Sequence, residues 1–331
     1  MSMTKRERIE KAIAMQKPDR MPFSMWMHFP NHDRSPRRLA ELSLYYQREL
    51  DLDFVKYMPY GLFSTVDYGL PLKVFPGFYD APVAEHPLVV KPEDWKVVKP
   101  VSGTEGEYAV VLESQRLFLK EAKDVPLIQT VFSPLTTALK ITSEGAMIEH
   151  IRNHPAKVRE ALEKITETTI QWAKAAVDGG AAGVFMASQM SLKSQLTVEE
   201  HREFVVKYDM PILEAIKGKA WFNVYHMHGK DPWFAEFKDY PVHAYNWHDR
   251  DDGPSHTEAR KMIPGKCFCG GLAHLSTAHA GTDAEVKASV EDAWKAVNGE
   301  GVIYTPGCVL NPKISMQRLR FIADCVKQQT A

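Results

Sequence analysis

Short apolar, β-branched or aromatic runs recur along the chain, each bounded by Pro, Gly or charge. They fall near 22–27 (PFSMWM), 53–58 (DFVKYM), 126–131 (PLIQTV), 182–187 (AGVFMA), 220–225 (AWFNVY), 241–246 (PVHAYN), 267–271 (CFCGG) and 301–305 (GVIYT). Runs of this length that are continuously apolar, with no polar alternation, read as strands buried on both faces. Between them lie segments of helical period with start signals. Thr197-Val-Glu-Glu200 and Thr282-Asp-Ala-Glu285 are capping boxes, each opening an amphipathic run. About eight strand–helix units in one chain predict a parallel sheet covered by helices and closed into a (β/α)8 barrel. The stretch from about 60 to 125 does not fit a simple unit. It is rich in Pro and Gly before the helical run Glu107–Lys123, and reads as an insertion after the second strand that folds over the barrel mouth. No repeat, low-complexity tract or linker divides residues 1–331, which read as one domain.

Neither a G-x-G-x-x-G turn after the first strand nor a G-x-x-x-x-G-K-[ST] loop occurs, so the nucleotide-binding open sheets lose their main support. Charge narrows the partners further. Lys+Arg number 41 and Asp+Glu 42, giving a formal net charge of −1, and the signs are mixed along the chain. That balance argues against a nucleic-acid or anionic-membrane partner. With no long apolar run and no hydrophobic signal core after Met1, the expected location is the cytoplasm. The four cysteines, Cys267, Cys269, Cys308 and Cys325, are too few for a disulfide framework and must be core filler or ligands.

In a barrel the residues just beyond each strand line the face where enzymes place their chemistry. Those positions here include His28, Tyr60, Phe132, Ser133, Ser188, Gln189, His226, His228, Trp247, His248, Asp249 and Cys308. The sharpest local signal is His226-Met-His228-Gly229. In extended chain, residues i and i+2 point to one side, and Gly lets the backbone turn away at once. Thr305-Pro-Gly-Cys308 offers a thiol after the last strand, and two imidazoles with one thiolate suit zinc with a fourth position open. From the residues alone, a surface His pair and a buried Cys remain the competing reading. Cys267 and Cys269 lie within their strand and Cys325 in the last helix, so all three are expected in the core. The acidic run Asp249-Arg-Asp-Asp252 reads as a solvated loop, with Asp249 alone close enough to a strand end to count as a site candidate.

Three segments carry a family resemblance: Gln16-Lys-Pro-Asp-Arg-Met-Pro22, Phe204-Val-Val-Lys-Tyr-Asp-Met-Pro-Ile212, and Tyr304-Thr-Pro-Gly-Cys308 followed by Asn311-Pro-Lys-Ile-Ser-Met316. Over nearly its whole length the chain resembles the uroporphyrinogen decarboxylase superfamily, which implies a (β/α)8 barrel. The decarboxylase branch uses an Asp after the second strand and Arg after the first. Here the corresponding positions are about Tyr60 and a loop, Met27–Asp33, without Arg until Arg34. Uroporphyrinogen, a polycarboxylate, is therefore not the expected substrate.

The zinc methyltransferase branch, serving methanol, methylamine and chloromethane metabolism, places His-x-Cys after the fifth strand and a Cys after the eighth. This chain has His226-Met-His228 and then Cys308, 80 residues on, with His228 where that branch has Cys. Resemblance thus implies a zinc-dependent methyltransferase or demethylase with His226, His228 and Cys308 as ligands. Two neutral imidazoles and one thiolate leave zinc at a net +1, a harder Lewis acid than with two thiolates, better suited to polarising a substrate oxygen. On that reading Tyr60, His28 and Gln189 orient a small substrate, Trp247 stacks on it or on a corrinoid, and His248 or Asp249 fixes a ligand imidazole's tautomer. No D-x-H-x-x-G segment occurs, so any corrinoid must arrive on a separate protein. The resemblance also implies a homodimer, although no interface patch is visible in the sequence. A cofactor-free decarboxylase or lyase of another small acid, or a non-catalytic barrel, remains the alternative.

Overall fold

Strand and helix alternate as the pattern predicts, and the computed structural model describes residues 2–330. The strands are β1 (Val55–Tyr57), β2 (Leu72–Lys73), β3 (Val83–Ala84), β4 (Leu127–Phe132), β5 (Gly183–Ser188), β6 (Val224–Met227), β7 (Ala244–Trp247), β8 (Cys267–Leu272) and β9 (Val302–Pro306). The helices are α1 (Lys5–Ile13), α2 (Pro36–Leu50), α3 (Gly106–Glu121), α4 (Pro134–Lys140), α5 (Glu144–Asn153), α6 (Pro155–Asp178), α7 (Val198–His201), α8 (Lys207–Ala215), α9 (His256–Met262), α10 (Asp283–Lys295) and α11 (Met316–Lys327). Seven strands form one curled parallel sheet in the order β1-β4-β5-β6-β7-β8-β9. Both predicted capping boxes start helices, Thr197 capping α7 and Thr282 capping α10. Proline occupies the first turn of α2, α4 and α6, where its missing N–H breaks no helical bond.

The first predicted strand, 22–27, does not form a regular ladder. It makes single parallel bridges at Phe23 to Tyr304 and at Met27 to Leu310. The reason lies in side chains that intercept its backbone bonds. Phe23 N donates to the Asp53 carboxylate at 3.0 Å, and Ser24 Oγ donates to Phe54 O at 2.8 Å. The segment still spans the two edges of the sheet, since Ser24 N reaches Tyr304 O and Asp53 N reaches Phe23 O.

Residues 60–125 divide into two parts. Helix α3 packs on the outside of β1, with Tyr57 stacked edge-on against Phe118 and its hydroxyl bonded to Ser114, so it is the crossover helix to β4 and not a cover. The remainder holds two 3₁₀ turns and the β2–β3 hairpin, whose tip exposes Phe75, Phe78 and Tyr79. Asn31, in the loop after 22–27, donates to the carbonyls of Gly77 and Phe78, which ties the tip to that end of the sheet.

At the opposite end, the first resemblance segment has a structural task. The Asp53 carboxylate, fully buried at the entrance to β1, is gripped by Arg8 at 2.6 Å and Arg20 at 2.8 Å, while Arg8 also holds Asp19 at 2.7 Å. Burial pushes the Asp19 carboxyl up, but its bonds to Arg8 and to the Met3 and Arg20 amides prevail and hold it at about 2.

Candidate metal centre

The parity of the parallel ladder decides which side chains face inward. His226 of β6 stands in register with Asn246 of β7, and both point to the sheet's inner side. Asn246 donates through Nδ2 to Cys269 O at 2.9 Å and Pro306 O at 3.1 Å, which leaves its amide oxygen aimed at His226. His226 Nδ1 donates to that oxygen at 2.6 Å, so Nε2 presents a lone pair to the interior.

Two glycines bring the other donors in. Gly229 has φ +94°, a turn in which a Cβ would sit 2.9 Å from Leu192, and it carries the chain away directly after His228. Gly307 lies so close to β7 that a Cβ would fall 2.9 Å from Trp247 O and 3.1 Å from His228's neighbour across the site, the Cα of His248. Cys308 is thereby set beside the imidazoles, its Sγ 4.0 Å from His226 Nε2 and 3.5 Å from His228 Nδ1. One donor atom from each of His226, His228, His248 and Cys308 lies within 4.8 Å of all the others. A tetrahedron with Zn–N of about 2.0–2.1 Å and Zn–S of about 2.3 Å has edges of roughly 3.3–3.7 Å, so this donor set fits zinc with small adjustment. Burial pushes the Cys308 thiol up, but the imidazoles of His226, His228 and His248 outweigh it and hold the thiol well below its ordinary range.

The cluster opens on a cavity of about 290 Å³ lined by Trp26, Met58, Phe132 and Phe185, with His28, Gln189, Lys56, Lys140 and Thr130 among its polar residues. Neither lysine stands at a position that the sequence marks as a candidate, Lys56 lying inside β1 and Lys140 at the end of α4. The Lys56 ammonium lies 4.4 Å from the Phe185 ring centre and that of Lys140 lies 4.3 Å from Phe132. Burial lowers Lys56 to about 7 and Lys140 to about 8. Among the described residues neither has a carboxylate partner, and no Asp or Glu lines the cavity.

The structure separates the remaining candidates. His28 faces the cavity, with its Nδ1 3.4 Å from Asp33, and Gln189 faces it with its backbone N–H bonded to Thr136. Tyr60 does not line the cavity. It is fully buried in the core, with Arg34 over its ring and its phenol beside Glu107. Trp247 cannot stack on a ligand there. One residue past inward-facing Asn246, it points outward, packs on Phe234 and Phe268, and donates from its indole to Pro254 O. Asp249 also faces away, accepting from Gly271 N at 2.9 Å and lying 3.3 Å from His256, and burial raises it to about 7. The imidazole partners are therefore Asn246 and, for His248, Asp252 at 2.8 Å. Cys267, Cys269 and Cys325 are buried in the core as expected.

Residues 4–329 match the family model described as uroporphyrinogen decarboxylase (URO-D). The methylcobamide:CoM methyltransferase MtbA of Methanosarcina acetivorans is 21% identical over 341 residues, covering 98% of each chain. Among solved structures, a methyltransferase from Methanosarcina mazei superposes with a TM-score of 0.84 at 19% identity over 98% of both chains. A B12-independent methionine synthase from Shewanella sp. W3-18-1, in complex with selenomethionine, reaches 0.60 at 13% identity over 95% of both. Both structural likenesses bear on the fold.

Proposed function

Because this chain belongs to the uroporphyrinogen decarboxylase family, with methyltransferases among its relatives, we propose that it is a zinc-dependent methyltransferase or demethylase. It moves a methyl group between a small methyl ether, thiol or similar substrate and a corrinoid protein or another acceptor. The observation that carries this reading is the gathering of His226, His228 and Cys308 at the carboxyl ends of β6 and β9, against a cavity of substrate size. Zinc held there supplies Lewis acidity toward a substrate oxygen or sulfur. The chain's own groups do the rest. Cys308 contributes one negative charge and the imidazoles none. Asn246 fixes the His226 tautomer, and Trp26, Phe132 and Phe185 keep water from the reacting end. Lys56 and Lys140, unpaired by any carboxylate, bind an anionic group at the other end of the substrate. His28 and Gln189 orient it.

On this reading the curled sheet is a (β/α)8 barrel whose first stave is the bridged segment 22–27, and the β2–β3 hairpin covers part of its mouth. A corrinoid would be brought by a partner protein.

Metal analysis of the purified protein tests the proposal. Stoichiometric zinc is expected, lost together with methyl transfer in a His228→Ala, Cys308→Ala double variant. Full activity in that double variant would overturn it. Carbon dioxide release from a small acid by metal-stripped protein would support a cofactor-free lyase instead.

A further inference from the structure

His248 is the first residue beyond β7, and although its imidazole lies in the donor cluster, the three proposed ligands His226, His228 and Cys308 leave it without an assigned role. Its Nδ1 is 2.8 Å from an Asp252 carboxylate oxygen, which can only accept, so Nδ1 carries the hydrogen and Nε2 is left with its lone pair. That nitrogen is buried and has no hydrogen-bond partner, in a residue only 7% exposed. The ring stands perpendicular to that of His228, centres 4.8 Å apart, and 6.0 Å from His226. The arrangement is held within one tight turn, because the amides of Asp251, Asp252 and Gly253 all bond back to His248 O. A lone pair aimed at three metal-ligating atoms, on an imidazole whose other nitrogen is anchored by a carboxylate, has the standing of a ligand.

We propose that His248 is a fourth protein ligand, completing an N₃S set with His226, His228 and Cys308, and that a substrate's donor atom binds by taking its place. The inference rests on the zinc reading above. Catalytic zinc sites commonly keep a position open, whereas four protein donors fill a tetrahedron. The resting site is thus closed, and only a ligand able to displace His248 opens it. In the exchange the Zn–Nε2 bond breaks as the bond to the incoming donor forms, and His248 keeps its hydrogen bond to Asp252.

X-ray absorption on the zinc protein without substrate, paired with visible spectra of the cobalt(II) form, tests this. The wild type is expected to show one sulfur and the outer-shell ring scattering of three imidazoles. His248→Ala should change the cobalt spectrum, weaken zinc in competition with a chromophoric chelator by about ten-fold or more, and recover the wild-type spectrum on adding free imidazole. Azide should bind this variant at least about ten-fold more tightly than the wild type, having nothing to displace. Outer-shell scattering from only two imidazoles in the wild type, or an unchanged cobalt spectrum in His248→Ala, overturns the proposal while leaving zinc in place. A wild type that binds no metal instead removes the zinc reading itself. If the alanine variant fails to fold, the wild-type absorption measurement and a His248→Gln variant decide the matter.

Discussion

Asn246 shows how one residue governs another's chemistry. With its amide nitrogen engaged by two carbonyls, it can only offer oxygen to His226. Replacing it with Leu removes that acceptor, and metal affinity is expected to fall about 10- to 100-fold, measured by chelator competition, while Cys308 stays in place. Lys56 offers a second test. Lys56→Met should raise KM for an anionic substrate far more than for a neutral analogue of the same length, with zinc content unchanged. Equal effects on the two would remove its role at the anionic end. Of the site, His226, His228 and Cys308 were legible because a His-x-His pair and a thiol after a Pro-Gly turn stand out as text. Lys56 was not, because it sits within β1, where a residue list drawn from strand ends never looks. Trp247 and Tyr60 misled for the converse reason: closeness to a strand end does not make a residue face the cavity, because side-chain parity decides which way it points. The register of His226 with Asn246 supplies that parity, and it depends on the partner strand.

Among the elements, strands and capping boxes were readable because continuous apolar runs and Thr-x-x-Glu spacings are local signals. The irregular first segment was not, because its departure from a ladder depends on Asp53, about thirty residues away, taking the Phe23 amide. The same carboxylate ties α1 to the entrance of β1, and it has measurable consequences. Asp53→Ala leaves Arg8 and Arg20 without their shared counter-charge and should cost about 3–5 kcal/mol of stability in urea unfolding. Asp19 gives a pH signature. Its folded pKa of about 2 lies below the unfolded value of 3.8, so its contribution is complete above about pH 4 and is lost as pH falls toward 2. The loss is about 2 kcal/mol, and Asp19→Asn should flatten that part of the stability curve. An unchanged acid limb in the variant would assign the transition to other carboxylates.

Across the whole molecule, no helix among the described residues is long and apolar enough to cross a membrane. The exposed apolar side chains gather mainly on the β2–β3 tip, where Phe75 is 61% and Phe78 75% exposed. Replacing both with Ser should change the free energy of urea unfolding by no more than about 0.5 kcal/mol for each site. A large drop in stability would mean that the tip packs more tightly than its exposure implies. The pairing of distant segments has a different consequence. Phe23 meets Tyr304 and Met27 meets Leu310, partners about 280 residues away in the chain, and Met21 N bonds to Gln329 O. On a ribosome the first segment therefore waits, its edge unsatisfied, until almost all of this sequence has been made. Slower translation or scarce chaperones should therefore lower the soluble yield of this protein, and chains stalled before Tyr304 should be held by chaperones, lacking both the partners of that segment and Cys308.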